Sequence, residues 1–177
     1  MEARTFEMEF AKFIERFHQE IRDAFIEDTF AKRQLLANYR LGREMLEELA
    51  DAVLSEFTIN IDKRTTVESI ADKYVQLGIR CCEDGLSYSE MIRVFTLLRR
   101  HIWLFFQDSN FAGQPFDVRS IVALNNRTTL FFDRAIYSFL VGFEQIQSEI
   151  KTELNDMYNT FVDRIYHDIR VRLRSDS

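Results

Sequence analysis

The sequence predicts an all-α protein: a bundle of about six helices ending in one long C-terminal helix. Three observations carry this. Apolar residues recur at spacings of three and four along almost the whole chain. One Pro and five Gly in 177 residues leave little to break a helix. The 17 Phe supply large, flat side chains suited to a bulky core between helices, or to an aromatic-lined ligand cavity.

The first helix is expected over residues 4–27, where Phe6, Phe10, Phe13, Phe17, Ile21 and Phe25 are spaced four, three, four, four and four apart. Residues 29–57 continue the pattern through Leu35, Tyr39, Leu46, Leu49, Val53 and Phe57. Gly42 interrupts that stripe, as a bend or a place for a close neighbour. Thr58–Thr66 reads as a polar connection. Thr65 and Glu68 then form a capping box, in which the hydroxyl takes an orphan backbone donor and the Glu reaches back. Val67, Ile70, Tyr74, Leu77 and Cys81 make the apolar seam of the helix that follows, and Gly85 closes it by tolerating a left-handed backbone. Ser87 and Glu90 are a second capping box. The helix they open carries Met91, Phe95, Leu98, Ile102 and Phe105 on one face.

Ser109–Asp117, with Gly113 and Pro115, is the clearest loop. From Asp117 onward only Gly142 punctuates the chain, so one helix on the order of 80 Å is expected. Ile136, Leu140, Phe143, Gln147, Ile150, Leu154, Met157 and Phe161 step alternately by four and three, a heptad seam with one polar residue to fix register. This predicts a homodimer through the C-terminal helices, parallel or antiparallel, with packing of the seam within the molecule as the alternative. Beyond Phe161 the seam through Ile165, Ile169 and Leu173 drifts round the helix. Arg164, Arg170, Arg172 and Arg174 crowd the end, where cations complement the helix dipole. The organisation expected is a helical bundle over residues 1–135, with 136–177 as a dimerisation and signalling extension of the same domain.

Net charge of −6 disfavours nucleic acid as a partner. The N-terminus carries acids where a signal peptide needs positive charge, and no window approaches a membrane span, so a cytoplasmic protein is expected. Adjacent Cys81 and Cys82 would strain the backbone if bonded to each other and read as reduced thiols.

No catalytic set emerges, and the expectation is that the protein is not an enzyme. Neither cysteine has a base near it in sequence, and His18, His101 and His167 lie apart. Glu15 and His18 match a di-iron pair once, without the second copy such a site needs. Zinc spacings and glycine-rich phosphate loops are missing, so no metal site is assigned. Of cofactors, none is expected, with haem the one to weigh: His101 lies on an apolar helix, and Cys81 is a second candidate ligand. Cys81, Arg99, His101 and Trp103 are the residues expected nearest any pocket.

Gly85-Leu86-Ser87-Tyr88-Ser89-Glu90, Leu97-Leu98-Arg99, Leu124-Asn125 and Asp133-Arg134-Ala135 resemble the RsbRD N-terminal domain family, helical sensors of stressosome proteins and some histidine kinases, over residues 70–145. Leu77-Gly78 followed by Gly85 is also similar to the proximal helix of globin-coupled sensors, with Cys81 where their haem-binding histidine would stand. These resemblances imply a globin-like or irregular bundle without the usual haem ligand. They imply a sensory or regulatory role in bacterial signal transduction and stress response, with a signalling protein as partner. A ligand or partner acting near the Cys81–Phe106 hairpin would shift the paired C-terminal helices. The alternative is a carrier of haem or a small apolar molecule. The output domain usual in such families does not follow, so a free-standing module or a piece of a longer protein is expected.

Overall fold

The computed structural model describes residues 3–31, 42–61, 67–109 and 118–175, with side chains described over 6–31, 42–61, 71–109 and 118–164. Those residues form six helices and no strand: α1 (Ala3–Arg16), α2 (His18–Ala31), α3 (Arg43–Ile61), α4 (Val67–Glu83), α5 (Tyr88–Asp108) and α6 (Val118–Ser175).

The expected first helix is interrupted at Phe17, between α1 and α2. Its hydrogen-bond ladder nevertheless runs on: Phe17 N–H donates to the Phe13 carbonyl (3.1 Å) and Ile21 N–H to that of Phe17 (3.0 Å). The Phe17 ring packs on Phe13 (5.0 Å) and Phe105 (5.4 Å). Past this point α2 leans on α5 and α3, whereas α1 leans on α3 and α6. The stripe expected to continue through 29–57 is not one helix either: α2 ends at Ala31 and α3 starts at Arg43. Leu35 and Tyr39 lie outside the described residues. Gly42 neither bends a helix nor admits a neighbour. It stands just before α3, its carbonyl accepts from Leu46 N–H (3.2 Å), and the space where a Cβ would sit is open.

The polar connection expected from Thr58 begins too early, because α3 runs on to Ile61. Thr58 is buried, and its hydroxyl donates to the Leu54 carbonyl (2.9 Å), which satisfies it inside the helix. The capping box at Thr65, like the Gly113–Pro115 loop, lies outside the described residues.

The α4–α5 turn forms as its residues dictate. Gly85 has φ 71, Leu86 N–H donates to the Cys81 carbonyl (2.9 Å) and Gly85 N–H to that of Cys82 (3.0 Å). That is a Schellman closure, with Leu86 buried beneath it. Ser87 and Glu90 make both halves of the capping box.

The core is aromatic. Phe6, Phe10, Phe25, Phe57, Phe95, Phe132 and Phe139 are fully buried. Phe10 meets Phe57, Trp103 and Phe106 at centroid distances of 6.3, 6.0 and 5.4 Å. Buried Glu7 on α1 pairs with Arg127 of α6 (2.5 Å), which also donates to the Ile61 carbonyl at the end of α3 (3.2 Å). One arginine thus ties three helices.

The most extensive helix contact is between α4 and α6, and glycine makes it. A Cβ on Gly78 would stand 2.0 Å from the Phe139 carbonyl oxygen, and one on Gly142 would stand 2.0 Å from that of Val75. The two backbones therefore touch, with a glycine facing the partner backbone from each side. Gly78→Ala or Gly142→Ala forces the helices apart and is expected to destabilise the fold by about 3 kcal/mol, at the upper end for overpacking. Urea unfolding followed by circular dichroism measures this, and a variant as stable as the parent would contradict the crossing.

Candidate functional site

Because α4 sits on α6, it stands away from α3, with little backbone contact between the two. Between them lies a half-open cleft of about 730 Å³. Its α3 wall is Met45, Leu49, Val53 and Glu56, one helical face. Its α4 wall includes Tyr74, Leu77 and Cys81, and Met91 of α5 also lines it. No Phe lines this cleft, so the expected aromatic-walled cavity is not found there: the phenylalanines described above pack on one another instead.

One ion pair bridges the walls, from Lys73 of α4 to Glu56 Oε1 of α3. The other carboxylate oxygen of Glu56 and the Tyr74 hydroxyl are both buried without a hydrogen-bond partner among the described residues. Tyr74 is 4% exposed. Its ring is held edge-on by Phe95 (5.8 Å) and Phe131 (6.2 Å). Burial, and secondarily the nearby Glu56 charge, hold its phenol well above the ordinary range. Leaving such a group unpaired costs about 1–3 kcal/mol, so two in one cleft, one on each wall, call for an explanation.

Of the four residues expected near a pocket, the structure places Cys81 alone in this cleft. Arg99 reaches toward Asp133 of α6 (3.7 Å). His101 Nε2 lies 3.1 Å from Asp28 of α2, with the ring against Phe25 (6.0 Å). Trp103 packs on Phe10 and Phe106. The four therefore do not form one site. Tyr74 and Leu77 were legible only as seam residues, and Glu56 carried no signal in the sequence.

Cys81 and Cys82 are free thiols, the first buried and the second half-buried. Burial pushes the Cys81 thiol up to about 11, with Asp84 adding to the effect. A protonated thiol is a poor nucleophile and a poor metal ligand. His101, the first of the two haem ligands weighed, is held outside the cleft, and Cys81 lines it. Among the described residues there is also no group of three or more His, Cys, Asp or Glu placed to hold a metal ion.

The second candidate region is α6 itself. Its 58 residues make a helix of about 87 Å. The boundary drawn at 135/136 falls inside it, and burial in the bundle continues through Phe143. The heptad seam divides there. Ile136 and Leu140 are half-buried and Phe143 is buried, while Gln147, Ile150, Leu154, Met157 and Phe161 are exposed. The last four are 51–70% exposed, with Tyr158 (66%) beside them. Ile165, Ile169, Leu173 and the last three arginines fall where side chains are not described. Further up α6, Leu130, Tyr137 and Val141 form another exposed apolar line, away from the seam and not anticipated from it. No helix among the described residues is long and apolar enough to cross a membrane.

Compared with known protein families, curated proteins and solved structures, the chain matches none.

The two thiols should separate chemically. With iodoacetamide at neutral pH, Cys82 is expected to alkylate readily and Cys81 slowly, since less than about one Cys81 in a thousand is thiolate there. In Cys82→Ser the residual rate should climb with pH toward about 11. Equal rates for both thiols near neutrality would show Cys81 to be exposed or activated.

Proposed function

We propose that this chain is a non-enzymatic sensory or regulatory module of bacterial signal transduction, cytoplasmic and homodimeric through the exposed part of α6. The observation that carries this is mechanical. Helix α4 forms one wall of the cleft and is keyed to α6 at Gly78 and Gly142. Whatever fills the cleft and pushes α4 must move α6 with it, because the keyed backbones leave no slack for sliding. Helix α6 then continues out of the bundle, carrying Ile150, Leu154, Met157 and Phe161 to where a second copy can cover them.

The RsbRD-like motifs of the sequence support the same role. Cys81 lines the cleft, where burial holds its thiol above the ordinary range. A signalling partner would read the separation or rotation of the paired helices, as in other two-state helix shifts. The second reading is a carrier for a small apolar molecule, favoured by the volume of the cleft alone.

The dimer is the part most directly tested. Each seam residue buried across a helix pair is worth at most about 2 kcal/mol, so two charges there should abolish pairing. Sedimentation equilibrium at micromolar concentration is expected to give a dimer for the parent and a monomer for Leu154→Asp/Met157→Asp. Bundle unfolding should change little, since both residues stand clear of the core. A monomeric parent would sink the dimeric reading.

A further inference from the structure

We infer that the α3–α4 cleft binds a neutral, largely apolar molecule bearing a single hydroxyl, which accepts a hydrogen bond from the Tyr74 hydroxyl and donates one to Glu56 Oε2. This deepens the sensory reading of the cleft and rests on it for its biological meaning, though not for its chemistry.

The two orphan atoms define the head group. Tyr74 Oη–H needs an acceptor, and Glu56 Oε2 needs a donor. Both residues line the cleft, and Lys73, the neighbour of Tyr74 on α4, is ion-paired to the other oxygen of Glu56, which brings this carboxylate to the same turn of α4. A hydroxyl supplies both functions from one atom. An ether or ketone accepts from Tyr74 and leaves Glu56 bare. An ammonium donates to Glu56 but accepts from nothing, and its charge is redundant, because Lys73 already neutralises that carboxylate. A carboxylate head group would meet Glu56 itself, and Glu48, Asp72 and Asp84 leave the lining acidic despite Lys73 and Arg80. The rest of the ligand faces Leu49, Val53, Leu77, Cys81 and Met91, which select a hydrocarbon body. The volume of about 730 Å³ lies within the usual range of small-molecule pockets.

The recognition is built into a wall that can move. Tyr74 and Lys73 are on α4, and Glu56 is on α3. A hydroxyl satisfying Tyr74 and Glu56 together adds a bond between the walls beside the existing ion pair. Ligand of this class would therefore draw α4 toward α3, and α6 with it.

Isothermal titration calorimetry of the full chain tests this with four probes of matched length: 1-octanol, heptyl methyl ether, octylamine and octanoate. Saturable binding of 1-octanol at one per chain is expected, with the other three weaker by about tenfold or more. Tyr74→Phe keeps the ring and its packing and removes one orphan. It should raise the thermal midpoint of the free protein while erasing most of the preference for the alcohol over the ether. That opposite pair of signs is not what a purely structural tyrosine would give. No saturable octanol binding, equal affinity for alcohol and ether, or an unchanged preference in Tyr74→Phe would each overturn the inference. Binding counted per chain is independent of the tail. A monomeric parent that binds octanol selectively would thus remove the dimeric reading and leave the site. A dimeric parent without alcohol selectivity would do the reverse.

Discussion

The contact on which the remaining structure depends is the crossing of α4 and α6 at Gly78 and Gly142. Side chains normally set the distance between packed helices. Here the missing side chains do, and a carbonyl of each backbone occupies the place a Cβ would take on the other. This commits α4 to α6 and draws it away from α3. The cleft follows from that commitment. So does the isolation of the Glu56–Lys73 pair, which bridges two helices that otherwise have little backbone contact. The Phe-rich core, by contrast, is redundant: Phe10, Phe57, Phe106, Phe131 and Phe132 contact one another in several combinations, so no single ring positions the helices.

Much of the fold was legible because it is local. The all-helical class, the Gly85 closure, the Ser87 cap and the unbroken C-terminal helix rest on residues within a turn of each other, and periodicity and capping report those directly. Helix ends were legible where a left-handed glycine or a capping hydroxyl marked them. Thr58 reads as a boundary because it is polar, yet its hydroxyl bonds back to Leu54 and lets the helix run on. The glycine crossing was hidden for another reason. A glycine in a helical pattern reads as a weakness, and nothing in one chain segment says which distant backbone will fill the space it leaves.

The candidate site was only partly legible. Arg99, His101 and Trp103 were grouped with Cys81 by nearness in sequence. His101 is turned about 160° from both Arg99 and Trp103 and so serves α2, while those two, on the other side of α5, meet α6 and the Phe10 cluster. Glu56 and Tyr74 come together from helices whose facing was not predictable, and each alone is an ordinary helical residue. The heptad seam is one pattern that the fold divides between two surroundings. Its first three positions are at least half-buried against the molecule's own bundle, and only the later ones are presented outward.

The uninterrupted winding of α6 turns the crossing into the fulcrum of a lever. Gly142 sits where α6 leaves the bundle, and the helix runs on to Ser175 without a proline or further glycine to absorb a bend. A tilt of about 5° there would swing the far end by about 4 Å, a large fraction of one helical turn. Movements at the cleft wall too small to disturb the packed aromatic core are thus magnified at the tip.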